Sequence, residues 1–291
     1  MGRTLIGGIE AGGTKIVLAV AESPTEIVAT HTIPTREPDE TLATARNWFE
    51  ENGPPCAIGI ASFGPVELDP GAPQWGHILE TPKAGWSQYD LAGHFSSAFC
   101  VPVGFDTDVN AAALGEYRHG AGQGAASLTY VTVGTGIGGG TVIDGRLVHG
   151  AGHPELGHIY PRRGIQDRDF PGICRFHGDC LEGLASGPAI FARWGATLSD
   201  LPDDHEAHGL VAGYLAQMCH TVHASIAAQV IVLGGGVMNT PGLTKRIAGK
   251  AQALGAGYFP GAADHRIVAP SLGDRAGITG ALLLAENARG A

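Results

Sequence analysis

The sequence predicts an α/β protein built from two domains. Strand-like segments alternate with helical segments along the chain, an order typical of α/β folds with parallel crossovers. The length of 291 residues exceeds that of one typical domain. An approximate internal repeat is the strongest indication, because residues 5–22 (LIGGIEAGGTKIVLAVAE) and 128–148 (LTYVTVGTGIGGGTVIDGRLV) each join two β-branched runs through a glycine-rich turn that contains Thr. We interpret the two segments as hairpins that each open one domain, and we expect a cleft between the domains.

The remaining elements follow a similar plan in each half of the chain. In the first half we predict, in order, a helix at 41–52, strands at 56–68 and 101–107, and a helix at 109–120. The second half has an irregular segment at about 149–186. After it we predict a helix at about 209–228, strands at 229–239 and 265–272, and a closing helix at 274–290.

Composition and charge exclude several classes of partner. The formal net charge is −10, and Arg162-Arg163 is too small a basic cluster for a duplex nucleic-acid surface. Hydrophobic residues make up 44% of the chain, enough for substantial cores, yet no stretch approaches the ~20 apolar residues of a membrane span. We therefore expect neither a nucleic-acid partner nor a membrane partner.

Cysteine usage and the first residues indicate the compartment. Cys56, Cys100 and Cys219 are scattered among apolar neighbours, the pattern of buried free thiols rather than of a disulfide framework. The chain runs directly into LIGGIEAGGTKIVLAV, without the basic start and uninterrupted apolar run of a signal peptide. We expect a reducing, cytoplasmic location.

Three glycine-rich turns are candidates for binding phosphate. They are EAGGTK (10–15), GTGIGGG (134–140) and GGGV (234–237). Glycine lets backbone N–H groups converge on phosphate oxygens without interference from a Cβ. Each turn alone could equally be a tight hairpin, but three of them in a repeated context favour a nucleotide.

Two acidic residues lie at the end of a predicted strand and the start of a predicted helix, in FDTDVNAAALGE. Asp106 and Asp108 lie where a carboxylate can accept the proton of a substrate hydroxyl while phosphates bind to nearby turns. The alternative interpretation is that Asp108 only caps the helix.

A metal site is predicted from the segment CRFHGDC. Cys174, His177 and Cys180 are separated by two equal steps, and a closed zinc site usually needs four protein ligands. His158, in the glycine-rich segment HGAGHPELGH, would complete a Cys₂His₂ tetrahedron. The alternative is two structural thiols beside two surface histidines.

Over essentially its whole length, the chain resembles the ROK family (repressors, ORFs and kinases) of actin-like, hexokinase-type ATPases, and within it the fructokinase-like branch. The most specific motifs are EAGGTK, DVNAAALGE, GTGIGGG, HPELGH and the cysteine motif followed by LEGLASGPA. The resemblance implies an α/β fold of two actin-like (ribonuclease H-like) domains around a central cleft. We place the first domain at 1–117 with the closing helix (about 274–291). The second domain is placed at 118–273, with a zinc-binding insertion at about 149–186.

The resemblance also implies a role for individual residues. The residues that correspond to the nucleotide-binding positions are Glu10, Gly12, Gly13, Thr14, Lys15, Gly134, Thr135, Gly136, Gly235 and Gly236. Asp108 corresponds to the catalytic base. The positions that contact the sugar correspond to Gly64, Thr107, Asp108, Glu155, His158 and Glu182.

The implied activity is phosphorylation of a hexose at O6 by ATP with Mg²⁺, in a homodimer that carries one structural zinc ion per chain. Three departures from the commoner family pattern bear on specificity and geometry. Glu10 replaces Asp, which changes the metal or water geometry by one methylene. Thr107 replaces the Asn of glucose and amino-sugar kinases, and His177 replaces a third cysteine, as is typical of the fructokinase-like branch.

Fructose is therefore the predicted acceptor. Kinases of mannose, glucose or an N-acetylhexosamine are the alternatives within the enzyme class. A sugar-responsive repressor would need a helix-turn-helix segment of roughly 60–80 residues before the first hairpin. Only a few residues precede that hairpin, which leaves a sugar-sensing regulator without its own DNA-binding domain as the remote alternative.

Overall fold

The computed structural model describes residues 4–290 and divides them into two compact units. The first unit contains residues 4–120, Leu147–His153 and 272–290. The second unit contains Ala121–Arg146 and Pro154–Ser271. Residues 149–153, which we placed in the second domain, thus belong to the first unit. His149 and His153 make hydrogen bonds there, to Asp106 and to the backbone of Val66. No helix within residues 4–290 is both long enough and apolar enough to cross a bilayer.

Ten strands form two five-stranded sheets in the described part of the chain. They are β1 (Ile6–Ala11), β2 (Lys15–Ser23), β3 (Glu26–Pro34), β4 (Ile58–Ser62), β5 (Val103–Thr107), β6 (Ser127–Val133), β7 (Ile137–Ile143), β8 (Arg146–Leu147), β9 (Val230–Gly234) and β10 (Arg266–Val268). The strand order is β3-β2-β1-β4-β5 in one sheet and β8-β7-β6-β9-β10 in the other.

The two sheets share one topology. In each, an antiparallel hairpin (β1–β2 or β6–β7) is extended by two parallel strands on the side of its first strand. Glu10 pairs with Val17 across the first hairpin and with Ala61 of β4. Both predicted hairpins are confirmed, and the shared topology explains the internal repeat of the sequence.

Eight α-helices accompany the sheets within residues 4–290. They are α1 (Pro38–Asn52), α2 (Leu91–Phe99), α3 (Asp108–His119), α4 (Leu181–Ala185), α5 (Gly187–Trp194), α6 (Glu206–Ile226), α7 (Leu243–Gly255) and α8 (Ala276–Gly290). The core of the second unit lies where α6, with Val211, Leu215 and Val222, packs with β6 and β9. The helices predicted from the sequence at α1, α3, α6 and α8 are confirmed.

The closing helix α8 is buried from Ala276 to Ala285 and packs on the sheet of the first unit. Glycines allow this close approach. A Cβ at Gly59 of β4 would lie 1.8 Å from the carbonyl oxygen of Ala281, and a Cβ at Gly104 of β5 would lie 2.3 Å from that of Leu284. Backbone therefore contacts backbone where α8 crosses β4 and β5.

Several predicted elements differ from the observed ones. Of the strand predicted at 56–68, only β4 (Ile58–Ser62) is observed as a strand. Pro65, beyond its end, has no N–H and cannot donate to a sheet ladder. The strand predicted at 229–239 ends at Gly234 and is followed by a 3₁₀ helix at Gly236–Asn239. Cys100 is exposed and Cys56 is only partly buried, so the expectation of buried thiols is correct for Cys219 alone among these three.

Candidate active site and metal site

The first glycine-rich turn joins β1 to β2. The Gly12 N–H donates to the Lys15 carbonyl oxygen (2.9 Å), and a Cβ at Gly12 would lie 2.9 Å from the same oxygen. Gly13 has open space where a Cβ would project. Two side chains brace the turn from outside: Thr35 Oγ1 donates to the Gly12 carbonyl oxygen (2.8 Å), and Lys83 Nζ donates to that of Gly13 (2.5 Å). The turn is thus held in one conformation with exposed backbone at Gly13.

The second turn joins β6 to β7 and is supported by α4 and α5. The Gly134 N–H donates to the Gly136 carbonyl oxygen (2.9 Å), and the Gly187 N–H donates to that of Gly134 (2.8 Å). Glu182 Oε2 accepts the N–H of Ile137 (3.0 Å), and a Cβ at Gly136 would lie 2.7 Å from that oxygen. The carboxylate of Glu182, expected to contact a sugar, therefore also fixes this turn.

The third turn follows β9. Gly235 has φ of +92°, which L side chains rarely adopt, and a Cβ there would lie 2.5 Å from the Val133 carbonyl oxygen. Gly236 has open space where a Cβ would project. Glycine is thus required at 235, and the backbone at 236 is accessible to a ligand.

Asp108 is the first residue of α3, and Thr107 is the helix N-cap. Thr107 is buried, and its Oγ1 accepts the N–H of Asn110 (3.1 Å). Asp108 Oδ1 accepts the N–H of the adjacent Val109 (2.8 Å). Because Thr107 performs the capping, the interpretation of Asp108 as merely a helix cap loses its main support.

Glu10 lies at the end of β1 with one unpartnered carboxylate oxygen. Burial raises the pKa of Glu10 to about 7, with further contributions from Asp108 and Asp274, while Lys15 acts in the opposite direction. Its Oε2 is buried and has no hydrogen-bond partner. A cation or a hydrogen-bond donor in front of Glu10 would satisfy this oxygen.

The segment HPELGH contributes candidate residues in the second unit. Glu155 N-caps a 3₁₀ helix at Leu156–His158, and its Oε2 lies 3.9 Å from His158 Nε2. A Cβ at Gly157 would lie 1.8 Å from the Ile137 carbonyl oxygen, so glycine lets this turn pack against β7. Gly64, by contrast, belongs to the first unit and lies beside His153: a Cβ at Gly64 would be 3.4 Å from His153 Cε1.

The four predicted metal ligands come together. The ligand atoms of His158, Cys174, His177 and Cys180 all lie within 4.8 Å of one another. The His158 Nδ1 atom is 3.5 Å from Cys180 Sγ and 3.8 Å from Cys174 Sγ, and His177 Nδ1 is 3.7 Å from Cys174 Sγ. Tetrahedral zinc with Zn–S of about 2.3 Å and Zn–N of about 2.0–2.1 Å separates S and N ligands by about 3.6 Å. The donor set and its spacing fit zinc.

Electrostatics and backbone hydrogen bonds support this assignment. Burial raises the pKa of the Cys180 thiol to about 11, because it disfavours the charged thiolate. A bound cation would stabilise the thiolate and lower this pKa. Cys174 and Gly178 exchange two backbone hydrogen bonds (3.1 and 2.9 Å), which hold the loop closed around the site. The Leu181 N–H donates to the Ile159 carbonyl oxygen (2.8 Å), so the segments that carry His158 and Cys180 are also joined directly.

Comparison with known proteins identifies the family. The model of the ROK family matches residues 6–288. The chain belongs to the ROK family. This ROK chain is 45% identical over 291 residues to a fructokinase of Zymomonas mobilis, and the alignment covers 97% of each protein. It is 45% identical over 289 residues to a putative fructokinase of Bacillus subtilis, with 98% and 96% coverage.

Solved structures of the family share the fold. A ROK hexokinase from Thermus thermophilus matches with a TM-score of 0.81 at 26% identity, over 98% of both chains. A ROK glucokinase from Streptomyces griseus in complex with glucose and AMPPNP matches with a TM-score of 0.76 at 27% identity, over 97% of this chain and 99% of that one. The predicted α/β, actin-like fold class is thereby confirmed.

Two polar residues of the first unit were not predicted from the sequence. His149 and Asn110 both bond to Asp106, the acidic residue two positions before Asp108. The sequence around His149 does not indicate that its partner is Asp106, 43 residues away. Asn110, in DVNAAALGE, was part of a recognised motif without an assigned role.

Proposed function

We propose that this ROK protein is an ATP-dependent fructokinase that phosphorylates D-fructose at O6. The observation that carries the proposal is 45% identity to the Zymomonas mobilis fructokinase over 97% of both chains. The Cys-x₂-His-x₂-Cys motif and Thr107 support fructose over glucose or an N-acetylhexosamine.

Asp108 is the proposed general base. Its carboxylate accepts the proton of the O6 hydroxyl while that oxygen attacks the γ-phosphorus and ADP departs. The side-chain N-cap of α3 is Thr107, and Asp108 follows it as the first residue of the helix. Little covalent work is required of the protein in such a transfer, which depends mostly on positioning and on charge stabilisation.

The three glycine-rich turns are the proposed phosphate and nucleotide site. Gly13, Thr135 and Gly236 are exposed residues of these turns, and Lys15 is an exposed cation beside the first turn. The AMPPNP in the Streptomyces griseus glucokinase supports ATP as the nucleotide. Mg²⁺ bound with ATP would neutralise phosphate charge. The unpartnered, buried oxygen of Glu10 fits a cation or its water ligands.

Fructose recognition is proposed for Gly64, Thr107, Glu155, His158 and Glu182. His158 can serve both sites because its two ring nitrogens face different groups. Nδ1 faces the cysteine thiols, and Nε2 lies 3.9 Å from the Glu155 carboxylate. With Nδ1 engaged in the metal site, Nε2 would carry the proton and donate towards Glu155 or a sugar oxygen.

The proposed zinc is structural. His158, Cys174, His177 and Cys180 would close the tetrahedron and leave no position for water or substrate. The site joins the segment that begins at Glu155 to the one that carries Glu182. It would therefore hold two sugar-binding carboxylates in place.

A panel of hexoses tests the proposal. Purified protein with ATP and Mg²⁺ should give its highest kcat/KM with fructose, and the product should be the 6-phosphate by NMR. A higher kcat/KM for mannose, glucose or an N-acetylhexosamine would overturn fructose and keep the kinase. Absence of phosphoryl transfer to every hexose would overturn the kinase itself. The homodimer stays a prediction, which light scattering of the purified protein would decide.

A further inference from the structure

A segment of the first unit, Leu147–His153, carries two histidines. One contacts the end of β5, two residues before the proposed base, and the other contacts the segment that follows β4. His149 Nε2 lies 2.8 Å from Asp106 Oδ2, at the end of β5. Because a carboxylate can only accept, Nε2 carries the proton and donates. Four residues on, His153 Nε2 accepts the N–H of Val66 (3.3 Å), just after Gly64.

Asp106 connects His149 to the start of α3. Its side chain is only 4% exposed, and its Oδ1 accepts two hydrogen bonds at once. One comes from the N–H of Thr107 (2.8 Å) and the other from Nδ2 of Asn110 (2.6 Å). These two donors precede and follow Asp108 in the chain. The Asp106 carboxylate therefore fixes the backbone turn from which the Asp108 side chain projects.

The carboxylate of Asp106 needs His149 to remain in this place. A buried carboxylate is costly unless charged or polar groups pair with it, and His149 is the titratable group that bonds to its second oxygen. The hydrogen bond with Asp106 raises the pKa of His149, while burial acts in the opposite direction. Without His149, Oδ2 loses this donor and the carboxylate is free to turn towards another one.

We propose that His149 is a positioning residue for phosphoryl transfer, which acts through Asp106 to hold Asp108 in the orientation that accepts the proton of the sugar hydroxyl. The inference rests on the proposed function of Asp108. The observation that supports it is the chain of hydrogen bonds from His149 to Asp106 and from Asp106 to both Thr107 and Asn110. His149 itself touches neither sugar nor nucleotide in this role.

Two substitutions of His149 distinguish loss of the hydrogen bond to Asp106 from loss of the imidazole ring. In glutamine, the distance from Cα to the amide nitrogen is about the same as the distance from Cα to Nε2 in histidine. In asparagine, the amide nitrogen is only about as far from Cα as Nδ1 is in histidine. His149→Gln can therefore still donate to Asp106, and His149→Asn cannot reach it, although both are neutral and polar. His31→Gln, at an exposed position of β3 in the same unit, is the matched control.

The expected result is a loss confined to turnover. His149→Asn should lower kcat about 10- to 100-fold, as expected when a reacting group is misplaced, and should leave KM for sugar and for ATP within about threefold. His149→Gln should restore kcat to within about threefold of wild type. Asp106→Asn, which keeps the shape and removes the charge, should reproduce the kcat loss if His149→Asn proves too unstable to purify.

The outcomes distinguish this inference from the proposed function. Equal kcat values for His149→Asn, His149→Gln and wild type would overturn positioning while fructose phosphorylation stands. Equal losses in His149→Asn and His149→Gln, with falls in thermal stability to match, would also overturn it and would assign a purely structural role. A wild-type protein that phosphorylates no hexose would overturn the proposed function, and this inference with it.

Discussion

The Glu10 carboxylate occupies the space in front of Gly277, where a Cβ would lie 2.5 Å from Glu10 Cδ. Gly277 is the second residue of α8, and the backbone of the next residue, Ile278, bonds to the same carboxylate. The end of the first strand thus meets the beginning of the last helix through one acidic side chain. Glycine at 277 is what makes room for it.

Replacing Glu10 should change how stability depends on pH. The pKa of Glu10 is raised from 4.5 to about 7, mainly by burial and then by Asp108. Between these values the folded state binds more protons than the unfolded state, so the carboxyl group lowers stability as pH rises through this window. Glu10→Gln removes that loss. Its Tm advantage over wild type should grow from pH 5 to pH 8, as measured by circular dichroism.

Glu51→Gln, at an exposed position on α1, is the control for loss of one negative charge. A Glu10→Gln advantage that stays constant across the pH range would show that the Glu10 carboxyl group does not titrate differently on folding.

Removing the proposed base should stop turnover and spare nucleotide binding. Asp108→Asn keeps the size of the side chain and loses proton acceptance, so we expect kcat to fall about 10²–10⁴-fold. Steady-state kinetics with fructose would measure the fall, and titration with a non-hydrolysable ATP analogue should give a Kd close to that of wild type. Near-normal turnover would mean that Asp108 is not the base.

Zinc removal should weaken sugar binding more than nucleotide binding. We expect one zinc per chain by elemental analysis. Cys174→Ser or Cys180→Ser should abolish fructose phosphorylation, because the ligands hold the segments that bear Glu155 and Glu182. Nucleotide binding should survive in part, since the first and third glycine turns lie elsewhere in the sequence, whereas the second turn is also braced by Glu182.

The exposed Cys100→Ser is the matched control for loss of a thiol and should retain both zinc and activity. Fresh protein without stoichiometric zinc, or fructose affinity that is unchanged after chelation, would contradict the structural role.

Adding one methyl group under α8 should destabilise the first unit. A Cβ at Gly59 would lie 1.8 Å from the Ala281 carbonyl oxygen, and backbone cannot move aside as a side chain can. Gly59→Ala should lower the free energy of unfolding by at least about 2 kcal/mol. Gly249→Ala, at an exposed position inside α7 where the Cβ meets nothing within 4 Å, should instead raise it by about 0.5–1 kcal/mol. Urea denaturation would measure both, and a loss at both positions would refute the packing argument.

Much of the fold could be predicted because its strongest elements carry local signals. The hairpins at β1–β2 and β6–β7 combine glycine turns with β-branched runs, and α8 is mostly apolar from Ala276 to Ala285. Two of the missed elements carry weaker signals. Strand β3 is an edge strand with mostly exposed or half-exposed residues, and α2 is only nine residues long. Their places are set by tertiary packing rather than by their own periodicity.

The site divides in the same way. Cys174, His177 and Cys180 are close in sequence, so their spacing predicted a common ligand, and the structure brings His158 to them. The bond between His149 and Asp106 spans 43 residues and depends on how a loop folds back, which no local pattern encodes.

The burial of α8 also has a consequence for synthesis. On the ribosome, β1, β4 and β5 emerge long before residues 276–290, and at about 5–20 residues per second the delay after residue 120 is roughly 8–30 s. During that interval the sheet face that includes Ile6, Ala19 and Ala61 lacks α8, and of the helices in this cluster only α3 has been made. The second unit is meanwhile complete once residue 271 has been made. The nascent chain would therefore finish its second unit before its first, and a chaperone that shields apolar sheet surface has its natural target in residues 4–120.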